Sequence, residues 1–449
     1  MPQATTFRIG SGAGYSGDRI DPAQDLAERG ELDALVFECL AERTIALAQL
    51  RRAADPTQGY DPLLRERMRA VLPACLSQQI TVITNMGAAN PMAAGRAVLD
   101  VARELGLAKL RVAVVEGDDV LDWLRAHPQT PLMDSDQTVG DLAQQLISAN
   151  AYLGADALLP ALQQGADVVI AGRIADPALF LAPLMHHFGW AADDWPRLGQ
   201  GIVIGHLLEC AAQVSGGYLA DPGFVDVPDL ASVGFPLAEV EADGTAVITK
   251  LAGTGGRVDR LSCTAQLLYE LEDPAGYLQP DVVADFSQVG FEVDSVNRVR
   301  VRGASGLPRP ETLKATLGYR DGFIGEGQIS YAGPGARSRG ELALTVLRAR
   351  LERLGWSALE HRLELIGVNA MHGPSLGADR EPYEVRVRLA LRCTTHAQAE
   401  RISQEVEALY LNGPAGGGGV VMSVREVVAA ASALVPRNAI RHACHILES

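Results

Sequence analysis

The chain has 449 residues, 47% of them hydrophobic and 21% charged, a length suited to two or three packed domains and a composition that excludes a disordered chain. Its net charge of −16 repels polyanions, and with no basic stripe interleaved with aromatics a nucleic-acid role is excluded. No apolar run approaches the roughly 18 residues of a membrane span, so the membrane is excluded as well. The first ten residues, MPQATTFRIG, carry no basic-then-apolar leader, and cysteines 39, 75, 210, 263, 393 and 444 form no C-x-x-C pair. These readings together give the expectation of a cytoplasmic protein with free thiols.

Aromatic residues make up only 5%, so the core is built from Ala, Val, Leu and Ile, the composition of a helix-covered parallel sheet. The N-terminal half alternates short apolar runs with helical periodicity. Strands are expected at Thr6–Ile9, Asp33–Phe37, Ile80–Thr84, Leu110–Val115 and Ala166–Ala171. Helices are expected over Leu40–Arg52, over Pro91–Leu105 and from Pro177 onward. After about residue 220 the pattern is broken by Pro222, Gly223, Pro228, Gly234 and Pro236. The expectation is therefore an α/β domain over 1–222 with a parallel sheet flanked by helices. An α+β domain follows over 223–449, contributing loops to an interdomain cleft. In it Val296–Arg302 and Tyr383–Arg392 alternate as half-exposed strands, and Gly340–Leu354 and His396–Leu411 read as amphipathic helices.

In a sheet of this type the strand C-terminal ends share one edge, so the residues just after each strand are the candidates for chemistry. The first turn, Gly10–Arg19, is glycine-rich and lets backbone amides approach an anion. Gly12-x-Gly14-x-x-Gly17 matches the dinucleotide fingerprint in form, with Glu38 at the spacing of its ribose-binding acid, although Asp18-Arg19-Ile20-Asp21-Pro22 interrupts the helix that should follow. Gly12 and Gly14 are candidate binding glycines, with Asp18 and Arg19 as contact residues. Glu38 and Glu42 lie one helical turn apart and suit acid/base work, a divalent metal, or simply the favoured acids of a helix start. After the third strand Asn90 and Pro91 have the helix cap to explain them, which leaves Asn85 and Gly87 as edge residues. After the fifth, Arg173 is an anion-ligand candidate and Asp176 either a ligand or a cap. Gly255 and Arg257, in Gly253–Asp259, would join from the second half. Glu209-Cys210 with Ser215–Tyr218 reads as boundary-loop chemistry, and the NGPAGGGG loop could close over a site. His442-Ala-Cys-His445 resembles a metal pair, yet no metal set is expected, and the sequence names no cofactor.

Eight blocks in order, IGSGAGYSGDR (9–19), LVFECLAERT (35–44), TNMGAANP (84–91), VIAGRIADPALFLAP (169–183), ECAAQVSGGYLADPG (209–223), KLAGTGGRVD (250–259), GFIGEGQISYAGPGA (322–336) and NGPAGGGG (412–419), resemble those of the AtuA family of acyclic terpene utilisation proteins. The resemblance runs from about residue 7 to 437. It implies a catabolic setting in which citronellol- and geraniol-type compounds are degraded as CoA thioesters. Relatives occur beside a small second protein or fused to a short C-terminal domain, so a small partner subunit is an expectation here, as is a homo-oligomer. The leading functional reading is a lyase or hydratase acting on a carboxylate or acyl-CoA. In that reading Asp18, Glu38 or Glu42 supplies acid/base function and Arg19 or Arg173 holds negative charge. A nucleotide- or NAD-dependent enzyme, and a non-catalytic or partner-dependent subunit, are the alternatives.

Overall fold

A computed structural model describes residues 6–376 and 381–448. The chain divides into two compact units, 1–318 with 430–449, and 319–429. Residue 222, where proline and glycine break the sequence pattern, lies inside the first unit, because the strands that follow it pair into the same sheet as the first strand.

The first unit is built on a ten-stranded sheet. Its parallel part contains β1 (Thr6–Ala13), β2 (Ala34–Phe37), β3 (Thr81–Thr84), β4 (Arg111–Glu116) and β6 (Val168–Ala171), in spatial order β1-β2-β3-β6-β4. These are the five strands expected from the apolar runs. Strand β5 (Leu146–Ala151) lies outside this sheet. Antiparallel strands extend both edges. β7 (Pro236–Glu241) pairs with β1 and continues through β8 (Ala246–Lys250), while the C-terminal strand Ala443–Glu448 pairs with β4. Of His442 and His445, the second is thus part of an edge strand, 3.6 Å from Glu116, and the first immediately precedes it.

β1 runs through Gly10 and Gly12 to Ala13 instead of turning at Gly10. The reason is packing: a Cβ on Gly10 would stand 2.7 Å from Leu32, and one on Gly12 2.6 Å from the Phe37 ring. One sheet face buries Leu35, Phe37, Val82, Val112, Val114 and Ile170 under helices Asp21–Arg29, Leu64–Gln78 and Pro91–Glu104, through Leu26, Met68, Leu72, Val98 and Val101. Each such side chain contributes roughly 1.5–3 kcal/mol. On the other face Phe7 packs at a tilt against His187 and edge-on against Phe188 at the end of helix Asp176–Phe188. That helix packs closely on Trp195–Leu208, where a Cβ at Gly205 would come within 2.6 Å of the Pro177 carbonyl.

The second unit is α+β. Strands His361–Ile366 and Glu384–Cys393 and the later part of Thr312–Ala332 lie antiparallel. One face buries Ile329, Tyr331, Val385, Val387, Leu389 and Leu391 against Leu344, Leu347, Ile402 and Val406 of helices Ala336–Arg353 and His396–Glu407. The opposite face carries a charge ladder, Arg388 with Glu326 and Glu364, and Arg392 with Asp321 and Glu360. The alternation expected for Tyr383–Arg392 is this division of faces. Among the described residues no helix is long and apolar enough to cross a membrane.

Candidate functional site

Within the first unit a cavity of about 530 Å3 opens at the C-terminal edge of the parallel strands. Gly14, Glu38, Glu42, Arg173 and Asp176, five of the residues singled out in the sequence, line it. Each stands just beyond a strand or at the first residue of a helix, which is why strand topology brings them together. Tyr152, Glu209, Tyr269, Glu270, Tyr277, Gln279 and Lys314 complete the polar wall. Leu40, Met133, Leu278, Leu313, Leu434 and three prolines make the apolar one.

Glu38 follows β2 and is buried; its Oε1 accepts hydrogen bonds from the Leu40 amide at 2.7 Å and from Asn85 at 2.9 Å. Asn85 in turn accepts from the Cys39 amide, so it acts behind the cavity by holding Glu38 in place. Burial, with the Asp176 carboxylate adding to it, pushes the Glu38 carboxyl well above the usual range. Glu42 behaves in the opposite way. Burial works against its charge, but the Tyr152 hydroxyl at 2.5 Å and Lys314 at 3.3 Å hold it down at about 2. The surroundings therefore push the two carboxyls in opposite directions, the kind of split that separates a proton-transferring acid from a fixed charge.

Arg173 is 1% exposed. Its Nε donates to the Ile174 carbonyl at 3.0 Å, Nη1 to the Leu40 carbonyl, and Nη2 to Ile174 and to Asp176. The guanidinium also lies 4.4 Å from the Tyr152 ring centroid. Its backbone amide donates to Asp118, a buried acid pushed up to about 6 by desolvation. Most of its donors are thus committed to the cavity wall. Burial also raises the Asp176 carboxyl, against the pull of Arg173.

Glu209, with Cys210, reads in the sequence as boundary-loop chemistry, and His206 is not singled out there. In the structure Glu209 is buried at the end of helix Trp195–Leu208, its Oε1 2.8 Å from His206 Nδ1. Desolvation pushes its carboxyl up to about 7. Its Oε2 and the Oε1 of Gln279, also in the lining, are buried without a hydrogen-bond partner among the described residues. The signal available in the sequence was the i, i+3 spacing of His and Glu on an apolar helix. Tyr152, Lys314 and Leu434 come from distant segments and left no signal.

The other expected residues lie elsewhere. Gly12 sits inside β1, against Phe37. Asp18 closes its own turn, accepting from the Gly14 amide at 3.0 Å and the Arg19 amide at 2.9 Å. Buried Arg67 ties the same turn from inside through the carbonyls of Tyr15, Ser16 and Asp18. Arg19 donates to the Ala231 carbonyl at 2.7 Å. These glycines consequently form no phosphate cradle: Gly14's amide is used by Asp18, and the next helix starts only at Asp21. Gly87 packs on the Ala171 carbonyl, and Gly255 on that of Asp229. Arg257 pairs with Asp259, which caps helix Arg260–Leu268; Tyr269 and Glu270 of the cavity follow that helix directly. Among the described residues no group of three or more His, Cys, Asp or Glu is placed to hold a metal ion.

The fold and cavity define a two-unit α/β protein with a carboxyl-rich pocket at its strand ends. The family model for "Acyclic terpene utilisation family protein AtuA" matches residues 7–446, and the chain belongs to that family. No curated protein matches it.

Proposed function

We propose that the chain is an enzyme that adds or removes water beside the carbonyl of an aliphatic acyl-CoA, a hydratase or lyase of acyclic terpene catabolism. The observation that carries this reading is that one cavity holds two buried carboxyls, Glu38, pushed well above the usual carboxylate range, and Glu209, pushed up to about 7, both by desolvation. A carboxyl held near 7, as Glu209 is, exchanges protons at physiological pH, where an ordinary carboxylate does not. The apolar wall suits a branched hydrocarbon chain, and the family's description supports an acyclic terpene origin for it.

In the hydration direction Glu209 takes a proton from water. The water oxygen bonds to the carbon β to the carbonyl, and the π pair moves to the α carbon. The α carbon takes a proton from Glu38; Glu209 then releases its proton to solvent and Glu38 takes one up, which restores both groups, and the sum is addition of one water. Elimination reverses each transfer. Because the guanidinium of Arg173 is largely committed, the polar wall offers hydrogen-bond donors more than free cations, which favours a neutral thioester carbonyl over a free carboxylate.

The test is incubation in D2O with saturated and 2-enoyl aliphatic CoA thioesters and the matching free acids, read by mass spectrometry. Hydration, or deuterium at the α carbon, is expected with thioesters and is lost in Glu38→Gln. Turnover of none of the panel by the wild type would overturn the reading and favour a binding subunit.

A further inference from the structure

The Glu209–His206 pair contains more information than a raised carboxyl. His206 is 1% exposed, with its ring 5.3 Å from that of Tyr277 and 5.9 Å from that of Phe286. Its Nε2 lies 3.1 Å from the Leu267 carbonyl oxygen. A carbonyl only accepts, so Nε2 carries a hydrogen. The other nitrogen, Nδ1, faces Glu209 Oε1 at 2.8 Å, and that contact is a hydrogen bond only if one proton lies between them. The pair is therefore either imidazolium with carboxylate or imidazole with carboxylic acid. In both, Oε2 is left over: it is buried, has no partner among the described residues, and belongs to a residue of the cavity wall.

Resting on the hydratase reading above, we propose that His206 is a positioning residue that holds one proton against Glu209 Oε1, so that Oε2 is the atom that takes the proton from the substrate or its water. When Oε2 accepts that proton, the imidazolium remains and offsets the negative charge developing on the acyl group. When Oε2 gives it up, to solvent after hydration or to the leaving hydroxyl in a reversal of that step, the original pair is restored, so no net charge or proton is gained over the cycle. The groups around the pair favour this. Asp176 and Glu270 act on Glu209, Glu270 acts on His206 too, and the Tyr277 ring packs beside the imidazole; none of these groups is a cation. The positive charge nearest Glu209 is thus that of His206 itself, set in place by the Leu267 carbonyl and by Gln266, which donates to the His206 carbonyl at 2.9 Å.

The test reads the ring directly. Long-range proton–nitrogen correlations of the imidazoles are recorded on the 15N-labelled full chain from pH 5.5 to 9, for the wild type, Glu209→Gln and His206→Gln, the last identifying the His206 signal. The expected result is an Nε2-protonated ring at every pH, whose imidazolium form persists at least about one pH unit higher in the wild type than in Glu209→Gln. An Nδ1-protonated neutral ring, or the same titration in both proteins, would overturn the proposal. This readout needs no substrate, so it fails or succeeds independently of the hydratase reading. Where turnover is measured, His206→Gln is expected to lower kcat roughly tenfold or more and to shift the acidic limb of the pH profile, with KM little changed. An unmoved profile would mean that the histidine only packs.

Discussion

Glu209→Gln lowers turnover of the preferred thioester by roughly 10²- to 10⁴-fold, the range supplied by a positioned acid or base. Its melting temperature at pH 8 is expected to be no lower than that of the wild type. Glutamine keeps the shape of the side chain and can still meet His206 Nδ1 through its amide, but it cannot take a proton. The pH dependence of stability gives the same variant a second signature. The Glu209 carboxyl is raised by burial from 4.5 to about 7, and His206 is raised by its carboxylate partner against the cost of burial. Both groups bind protons more tightly in the folded chain than in the unfolded one. The Glu209 contribution is fully present below about 4.5 and is lost as pH rises through about 7, and that of His206 is fully present below 6.5 and is lost as pH rises above it. The wild type should therefore lose more melting temperature between pH 5 and pH 8 than Glu209→Gln does. Scanning fluorimetry at the two pH values checks the stability half, and the thioester assay the catalytic half. A variant that keeps full turnover would remove Glu209 from the mechanism.

Arg173→Leu destabilises the fold by about 3–5 kcal/mol, the cost of breaking a buried ion pair by deleting one partner. The substitution leaves the carbonyls of Leu40 and Ile174 and the Asp176 carboxylate without their donor in a wall where Arg173 is 1% exposed. It also removes the cation against the Tyr152 ring. Arg173→Lys recovers little, because one ammonium cannot serve the two carbonyls and the carboxylate that the planar fork reaches together. Urea unfolding followed by circular dichroism measures the loss; a change below about 1 kcal/mol would mean that these contacts contribute little. Tyr152, whose hydroxyl also holds Glu42, links the two sides of the wall, so the Arg173 variants are also expected to disturb Glu42.

Much of this arrangement was legible in the residue order. Apolar runs such as Ala34–Phe37 and Val168–Ala171 are buried on both faces and so read as continuous strands, and the charged residues just beyond them are those that reach the cavity. Glu38, Glu42, Arg173 and Asp176 were found for that reason. Asp18 and Arg19 have the same position in sequence but a different use, because the long first strand carries the turn past the edge, where Asp18 is needed to close it. Helix Leu64–Gln78 was hidden by Pro73 in its interior, and Glu209 by the prolines and glycines that follow it. The antiparallel strands that extend the sheet carry no local mark of their partners; β7 pairs with a strand more than two hundred residues earlier. Lys314 reaches Glu42 in the same long-range way.

The most direct measurement is a crystal structure of the full chain with a non-hydrolysable aliphatic CoA thioether ketone, a carbonyl-bearing mimic that cannot turn over. The account predicts the carbonyl between Glu38 and Glu209, with the alkyl chain along Leu313, Leu434 and Met133. A mimic bound away from this cavity, with Glu38 and Glu209 untouched, would contradict it.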